Sequence, residues 1–238
     1  DFAGLEHLPM VAQRERVVLD ALGQAPVHPP HGKFLYSNLG YIVAGHVAEV
    51  VTGKSWEELI ASLLFEPLGM TSAGFGAPGT PGQRDQPRGH TDAGLAVEPG
   101  ADADNPAMLG PAGTVRASLG DWARFARVHL RGAVEDVKIG ELTLARDTFA
   151  LLHRPCEGPE PRYALGWGLE TRAWAGGDGT TLEHNGSNTL WYCSAWLGLP
   201  DGVGVLVTAN QASPAAKGAV NEVARLLTQE LERRARAR

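Results

Sequence analysis

The sequence lacks the features that mark metal, redox and membrane proteins. Only two of its 238 residues are cysteine, Cys156 and Cys193, and their spacing fits neither a C-x-x-C motif nor another metal-binding pattern. The sequence leaves open whether the two thiols pair. No apolar run approaches the roughly 20 residues that a transmembrane helix needs. We therefore expect no metal, no cofactor and no membrane span.

Basic residues are also few. Lys and Arg number 21 against 27 Asp and Glu, and the formal net charge of −6 gives no general attraction to nucleic acid or to an anionic membrane. The cationic run ERRARAR at the C-terminus is typical of a solvated helix end, where positive side chains suit the helix dipole. A nucleic-acid-binding tail is the alternative interpretation of that run. We expect no nucleic acid among the partners.

Helix patterns fill the first part of the chain. Ser55 and Glu58 make a capping box for a helix that Pro67 ends, with Leu59, Ile60, Leu63 and Leu64 facing inward. Before it, an Asn38 N-cap and a Gly53 stop bound a helix whose apolar residues recur at helical spacing. We expect these residues to be buried: Leu39, Ile42, Val43, Val47, Val50 and Val51.

A long loop rich in Gly, Pro, Asp and Asn runs from about Gly74 to Ala117 and lacks periodicity. Ordered loops of this length are uncommon and usually shape a site. Helix signals return at Ser118, where Asp121 completes another cap, and over residues 144–152.

Strand patterns follow, as YALGWGLE from Tyr163, TTLEHNG from Thr180, LWYCSAWLGL from Leu190 and VGVLVTA from Val203. A Pro-Asp-Gly turn at 200–202 predicts an antiparallel hairpin for the last two, and their apolar arms predict cover on both sheet faces. The closing helix begins at Ser213 and is expected to bury Val220, Val223, Leu227 and Leu231. The order predicts an α+β protein, with a helical and loop-rich lobe over 1–155 and a strand meander with a C-terminal helix over 156–238.

Two short segments have residue types suited to chemistry. Tyr36 and Asn38 flank Ser37 just before a helix, where an extended approach would point the phenol and the carboxamide to the same side. Alone, this pattern equally fits a packing aromatic and an N-cap. In LEHNGSN, His184 and Gly186 share one face of a strand, a pattern that alone equally fits an edge strand ending in a turn.

Together, the two segments resemble motifs of the serine β-lactamase, penicillin-binding protein and esterase superfamily. In the class C β-lactamases and their esterase relatives the second motif is Tyr-x-Asn and the third can be His-x-Gly, as at 36–38 and 184–186. Other segments resemble family text in family order, so the likeness covers almost the whole chain: YSNLGY, EPLGM, GPAGTVRASLGDWARF, LGWGL and the PDG hairpin. The resemblance implies a β-lactamase/transpeptidase-like fold, with an antiparallel sheet flanked by helices beside a mainly helical lobe.

The resemblance also implies roles for the motif residues. Tyr36 would be the base or proton relay for a serine nucleophile, and Asn38 would hydrogen-bond the substrate and hold the motif lysine. Gly186 would let the substrate lie against the strand, and the backbone N–H of Ser187 would form half of the oxyanion hole. His184 would be a hydrogen-bonding group on the substrate side.

The resemblance further indicates the substrate. A lysine in the third motif can hold the carboxylate of a β-lactam, whereas an imidazole is largely neutral at pH 7. We therefore expect a small-molecule acyl substrate, with ester or amide hydrolysis favoured over efficient β-lactam turnover. Trp191 would wall an apolar acyl pocket, although an aromatic side chain on a hairpin equally suits the core.

The first family motif, S-x-x-K, is absent from the sequence. No Ser or Thr is followed three residues later by Lys, and the nearest case, Ser213 with Lys217, is one residue too long. In the family this motif opens a helix well upstream of the tyrosine, and only 35 residues precede Tyr36. We expect a chain incomplete at its N-terminus, whose Ser and Lys come from a missing segment or a companion chain. The alternative is a non-catalytic ligand-binding or interaction remnant of the same fold.

Other histidines have simpler interpretations. His28 and His31 in HPPH suggest a zinc hydrolase as the competing enzyme class, but the intervening prolines forbid a helical arrangement and no carboxylate or thiol is near in sequence. His46 shares a face with Ile42 and Val43, which predicts a buried or boundary residue with a polar partner. The compartment stays open, and the resemblance allows a secreted or periplasmic location.

Overall fold

The computed structural model describes residues 4–29, 33–156 and 162–236. Its α-helices are α1 Met10–Leu22, α2 Asn38–Thr52, α3 Trp56–Ile60, α4 Gly110–Gly113, α5 Leu119–Gly132, α6 Arg146–Leu152 and α7 Pro214–Arg236. A π-helical turn, Ala61–Phe65, extends α3, and short 3-10 turns cover Ala101–Ala103, Ala107–Leu109 and Ala173–Ala175. The strands are β1 Gly74–Phe75, β2 Val115–Arg116, β3 Val137–Ile139, β4 Leu142–Leu144, β5 Gly168–Thr171, β6 Thr180–Ser187, β7 Tyr192–Gly198 and β8 Val203–Ala209.

The main sheet is an antiparallel meander of four strands in the order β5-β6-β7-β8. On one face, Leu182, Ala195 and Leu197 pack with Ala126 and Leu130 of α5. The other face packs against α7, in a cluster of Tyr192, Val205, Val207, Ala212, Val220 and Ala224. Helices therefore cover both faces, as the apolar arms of the β7–β8 hairpin predict, and the α+β class is confirmed.

The first three helices are joined around a buried arginine. Arg14 of α1 is fully buried, and its guanidinium donates hydrogen bonds to the carboxylates of Glu49 in α2 and Glu57 in α3. Its Nε also donates to the carbonyl of Met108 at 3.1 Å. The predicted capping box of Ser55 and Glu58 is present at the start of α3. This network joins α2 to α1, to α3 and to the 3-10 turn that contains Met108.

The predicted burial of α2 is partly wrong. Ile42 is fully buried, but Val47, Val50 and Val51 are 56, 69 and 79% exposed. The helix buries Gly45 and Glu49 instead, because Glu49 pairs with Arg14 and because Gly45 lies under the ring of Pro111. The buried face of α2 is therefore the face of Ile42, Gly45 and Glu49, and the face of Val47, Val50 and Val51 that periodicity predicts to be buried is exposed.

The structure also corrects expectations about which residues are buried and about where elements begin. Leu63, Val223 and Leu227 are exposed, and α7 buries Val220, Ala224 and Thr228. The helix predicted over 144–152 begins at Arg146, because residues 142–144 pair with 137–139 as a hairpin. The strand predicted from Tyr163 begins at Gly168, with which Tyr163 makes an isolated bridge across a turn. The N-cap of α2 is Ser37 rather than Asn38.

In the described ranges, no helix combines the length and apolar character that a bilayer crossing requires.

Candidate active site

The Tyr-x-Asn segment lies at the start of α2. Ser37 is extended, with φ −151° and ψ 124°, so the side chains of Tyr36 and Asn38 leave the backbone on the same side. Tyr36 is 48% exposed and Asn38 is also exposed. Across the parts of the chain that the structure describes, the Tyr36 hydroxyl has no hydrogen-bond partner. A phenol with a free hydroxyl at a helix start is available to a ligand.

The structure brings the two predicted motifs together. His184 lies in β6 opposite Ala195 of β7 and is half-buried. The ring centroids of Tyr36 and His184 are 6.4 Å apart. The Tyr-x-Asn and His-x-Gly segments are thus neighbours in the fold, as expected. The sequence patterns around the two residues do not by themselves show that the residues are close, because a helix start and a strand are brought together only by the fold.

Two tyrosines that sequence reasoning missed complete this cluster. The hydroxyl of Tyr163 is 2.9 Å from Nε2 of His184 and 3.0 Å from the hydroxyl of Tyr41. The ring of Tyr36 stands edge-on to that of Tyr163, with centroids 5.7 Å apart, and Phe34 packs against Tyr163 at 5.2 Å. Tyr41 follows Asn38 by three residues on a helix, and this spacing places the two side chains next to each other. The sequence therefore contained a signal that Tyr41 lies near the Tyr-x-Asn segment. Tyr163 offered none, since it reaches the site from a turn.

The pKa shifts describe a site without fixed charge. Burial raises the pKa of Tyr36, and the neighbouring Tyr41 raises it further. Burial also raises the pKa of Tyr163, with contributions from Tyr41 and Tyr36. Burial lowers the pKa of His184, while a hydrogen bond with the backbone of Asn185 opposes that effect. At neutral pH the described cluster therefore presents neutral phenols and a neutral imidazole.

The turn after β6 is hydrogen-bonded to the long loop. Asn188 donates a hydrogen bond to Oδ1 of Asp104 at 2.7 Å and accepts one from the backbone of Trp191 at 2.9 Å. Thr189 has φ 73°, a left-handed conformation that is rare for a β-branched residue. The side-chain oxygen of Ser187 accepts from the backbone N–H of Thr189 at 3.1 Å. These contacts fix the backbone beside Ser187, the residue that sequence reasoning assigned to an oxyanion hole.

Gly186 and Trp191 each pack against a neighbouring segment. Gly186 lies opposite Cys193 in the sheet, and a Cβ at position 186 would come 2.9 Å from the sulfur of Cys193. Trp191 is half-buried and lies over Gly89 of the long loop, where an added Cβ would meet its indole nitrogen at 2.5 Å. Among the described rings, Trp191 makes no contact with the tyrosine cluster. The packing of Gly186 supplies a second reason for glycine, beside access for a substrate.

Metal-ligating residues are dispersed in the described ranges. No group of three or more His, Cys, Asp and Glu side chains is placed there to hold an ion. His31 of the HPPH segment lies outside the described residues. His46 lies at the boundary of the core, as predicted, and its Nδ1 is 3.2 Å from a carboxylate oxygen of Glu49. Cys156 and Cys193 are both free thiols.

Comparison with known proteins identifies the family. The family model described as Beta-lactamase matches residues 3–230. The chain therefore belongs to the β-lactamase family. The recognition made from the Tyr-x-Asn and His-x-Gly segments is confirmed.

Individual relatives agree with this assignment. The chain is 31% identical over 152 residues to penicillin-binding protein 4 of Amycolatopsis lactamdurans, which covers 62% of this chain and 38% of the relative. It is 30% identical over 103 residues to the unguisins hydrolase ungD of Aspergillus violaceofuscus, covering 41% of this chain and 18% of that protein. The crystal structure of SurE superposes with a TM-score of 0.70 at 23% identity, over 91% of this chain and 49% of that one. The chain thus spans half or less of the length of these proteins.

Proposed function

We propose that this chain contributes the Tyr-x-Asn and His-x-Gly parts of a serine hydrolase that acts through an acyl-enzyme on an ester, an amide or a β-lactam. The observation that carries the proposal is the approach of Tyr36 and His184 to 6.4 Å between ring centroids. In this mechanism a serine oxygen bonds the acyl carbon and its proton passes to Tyr36. The leaving alcohol or amine departs with that proton, and water then hydrolyses the acyl-enzyme.

The nucleophilic serine and its lysine belong, in this proposal, to a segment outside the 238 residues. The sequence holds no S-x-x-K. The surroundings of Tyr36 raise the pKa of its phenol, whereas a base needs that pKa lowered. A cation is the group that would reverse the effect, and among the described residues none contributes to the pKa of Tyr36. A lysine brought to this phenol would supply the missing charge.

Neighbouring residues take supporting roles. Asn38 binds substrate and lysine, Gly186 gives the substrate access to β6, and the backbone N–H of Ser187 donates to the oxyanion. The hydrogen bond between Asn188 and Asp104 supports the role of the Ser187 N–H, because an oxyanion donor must be held in a fixed position. His184 contacts the substrate side, and Trp191 would border the acyl group from the loop that follows β6.

The substrate class follows from the charge of the cluster. The lowered pKa of His184 leaves its imidazole neutral at pH 7, so it cannot replace a lysine as a permanent anchor for a carboxylate. We expect the full-length protein to turn over short p-nitrophenyl esters faster than cephalosporins. Cephalosporin turnover that far exceeds ester turnover would contradict this assignment while leaving the hydrolase proposal in place.

Fluorophosphonate labelling of the full-length protein tests the proposal. We expect one serine outside these 238 residues to be labelled, and the labelling rate to fall in Tyr36→Phe because the proton acceptor is lost. Intact mass measured on the same sample shows whether residues beyond the 238 are present. A full-length protein that binds acyl ligands but takes no label would be the non-catalytic remnant, and the hydrolase proposal would fail.

A further inference from the structure

The strongest relationship that the proposed chemistry does not use is the hydrogen bond between Tyr163 and His184. The Tyr163 hydroxyl oxygen is 2.9 Å from Nε2 of His184 and 3.0 Å from the hydroxyl of Tyr41. A phenol has one proton to donate, so the three groups share a limited set of proton arrangements. The arrangement that is adopted determines what His184 presents to a substrate.

The surroundings of the imidazole select one arrangement. A neutral imidazole has one nitrogen that donates and one that accepts. A phenol is a stronger acid than the N–H of a neutral imidazole, and an unprotonated imidazole nitrogen is a stronger base than a phenol oxygen, so Tyr163 donates in its contact with Nε2. Nε2 is already occupied by Tyr163. The donating nitrogen is therefore Nδ1, Tyr163 donates to Nε2, and Tyr41 donates to Tyr163.

We propose that Tyr163 is a positioning residue, whose hydroxyl fixes the imidazole of His184 in one orientation and in the Nδ1–H tautomer. The inference rests on the proposed function, since it concerns how His184 meets the acyl substrate. Tyr163 is suited to this role because it is held on several sides. Phe34 and Tyr36 pack on its ring, and its backbone carbonyl accepts a hydrogen bond from the N–H of Cys156 at 2.8 Å.

A consequence for specificity follows. With Nε2 accepting from a phenol, His184 cannot turn a protonated Nε2 toward a substrate carboxylate. The wall of the site is then made of neutral rings, Tyr36 and Tyr163 being the titratable groups that face His184. Removal of the Tyr163 hydroxyl frees Nε2 to carry a proton. We expect Tyr163→Phe to raise KM for a neutral ester by about fivefold, the effect of losing one hydrogen bond, and to lower kcat by less than that.

The tautomer itself can be measured without turnover. In full-length protein with ¹⁵N-labelled histidine, long-range ¹⁵N–¹H spectra distinguish Nδ1–H from Nε2–H, and the His184 signals are assigned by their loss in His184→Gln. We expect the Nδ1–H tautomer in the wild type and a shift toward Nε2–H in Tyr163→Phe. Tyr41→Phe is the matched control, because it removes a phenol hydroxyl from the same cluster but leaves the Tyr163–His184 contact in place.

His129 and His153 are both buried, with ring nitrogens 3.0 Å apart, so the same spectra report folding: the signals of these two residues must stay unchanged in each variant. An Nε2–H tautomer in the wild type, or a tautomer that Tyr163→Phe leaves unaltered, would overturn the inference. The expected tautomer shift in a protein that takes no fluorophosphonate label would support the positioning role of Tyr163 and remove only the hydrolase proposal.

Discussion

Tyr36 and His184, on the approach to helix α2 and on strand β6, have their ring centroids 6.4 Å apart. Tyr163 contacts both residues: its ring packs edge-on with the ring of Tyr36, and its hydroxyl is 2.9 Å from Nε2 of His184. Of the two phenols, Tyr163 has hydrogen-bond partners for its hydroxyl, and Tyr36 has none in the described ranges. The cluster therefore combines a hydrogen-bonded imidazole with a phenol whose hydroxyl can meet a ligand, and in the proposed function Tyr36 is the group that exchanges a proton.

The position of α2 depends on the buried guanidinium of Arg14. We expect Arg14→Ala to lower the free energy of unfolding by about 3 to 5 kcal/mol, because Glu49 would keep a buried negative charge, and Glu57 a partly buried one, without their partner. Urea unfolding followed by circular dichroism measures this loss.

Arg16 on the same helix provides the matched control. It pairs with Asp20 at 3.1 Å, and both side chains are exposed. Arg16→Ala is expected to cost less than about 1 kcal/mol, because exposed ion pairs are screened by water and salt. Equal losses in the two variants would show that the buried network does not hold these helices.

Gly186 has two possible reasons to be glycine, and a double variant separates them. A Cβ at 186 would lie 2.9 Å from the sulfur of Cys193, so Gly186→Ala is expected to destabilise the fold by about 1 to 3 kcal/mol through overpacking. Cys193→Ala removes the sulfur and should restore much of that stability, a non-additive effect of neighbouring residues.

Turnover in the double variant then reports on the substrate. If β6 must accept a substrate beside Gly186, the refolded Gly186→Ala/Cys193→Ala protein stays poorly active while Cys193→Ala alone remains active. Full activity in the double variant would show that Gly186 serves packing only.

The buried pair His129 and His153 predicts a pH dependence of stability. Their ring nitrogens are 3.0 Å apart, and burial lowers the pKa of His129 to about 3 and that of His153 to about 4. The unfolded chain binds protons at these residues below about pH 6.5, whereas the folded chain keeps them neutral. Stability is therefore complete above pH 6.5 and falls as the pH falls.

The expected loss is roughly 1.4 kcal/mol per histidine per pH unit once the unfolded residues are protonated. Urea unfolding at pH 7, 6 and 5 measures it, and His153→Leu should show a smaller slope because one of the two groups is gone. A free energy of unfolding that stays constant from pH 7 to 5 would refute this role of the pair.

Local signals explain which parts of the fold the sequence predicts. The capping box at Ser55, the Gly53 stop and the Pro-Asp-Gly turn are each set by residues next to one another, and the structure has them where the patterns predict. The full burial of Arg14 could not be predicted, because a charged side chain is normally exposed and its two carboxylate partners lie far along the chain.

The candidate site shows the same limit. Tyr36 and His184 were found because each belongs to a short motif. Tyr163 was missed because its contact with His184 depends on how a turn before β5 folds back over the site, and no periodicity marks that approach. Val50 and Val51 were assigned to the core by periodicity alone, which identifies an apolar face but not whether another element covers it.

The most direct measurement is the kcat of the full-length protein for a neutral p-nitrophenyl ester in Tyr36→Phe. Tyr192→Phe is the control, because Tyr192 lies in the core between the sheet and α7. The proposed mechanism predicts a fall of about 10² to 10⁴-fold in Tyr36→Phe, as expected when a proton-transfer group is lost, with little change in the control and in the stability of either variant. A Tyr36→Phe protein that keeps the wild-type kcat would contradict the account.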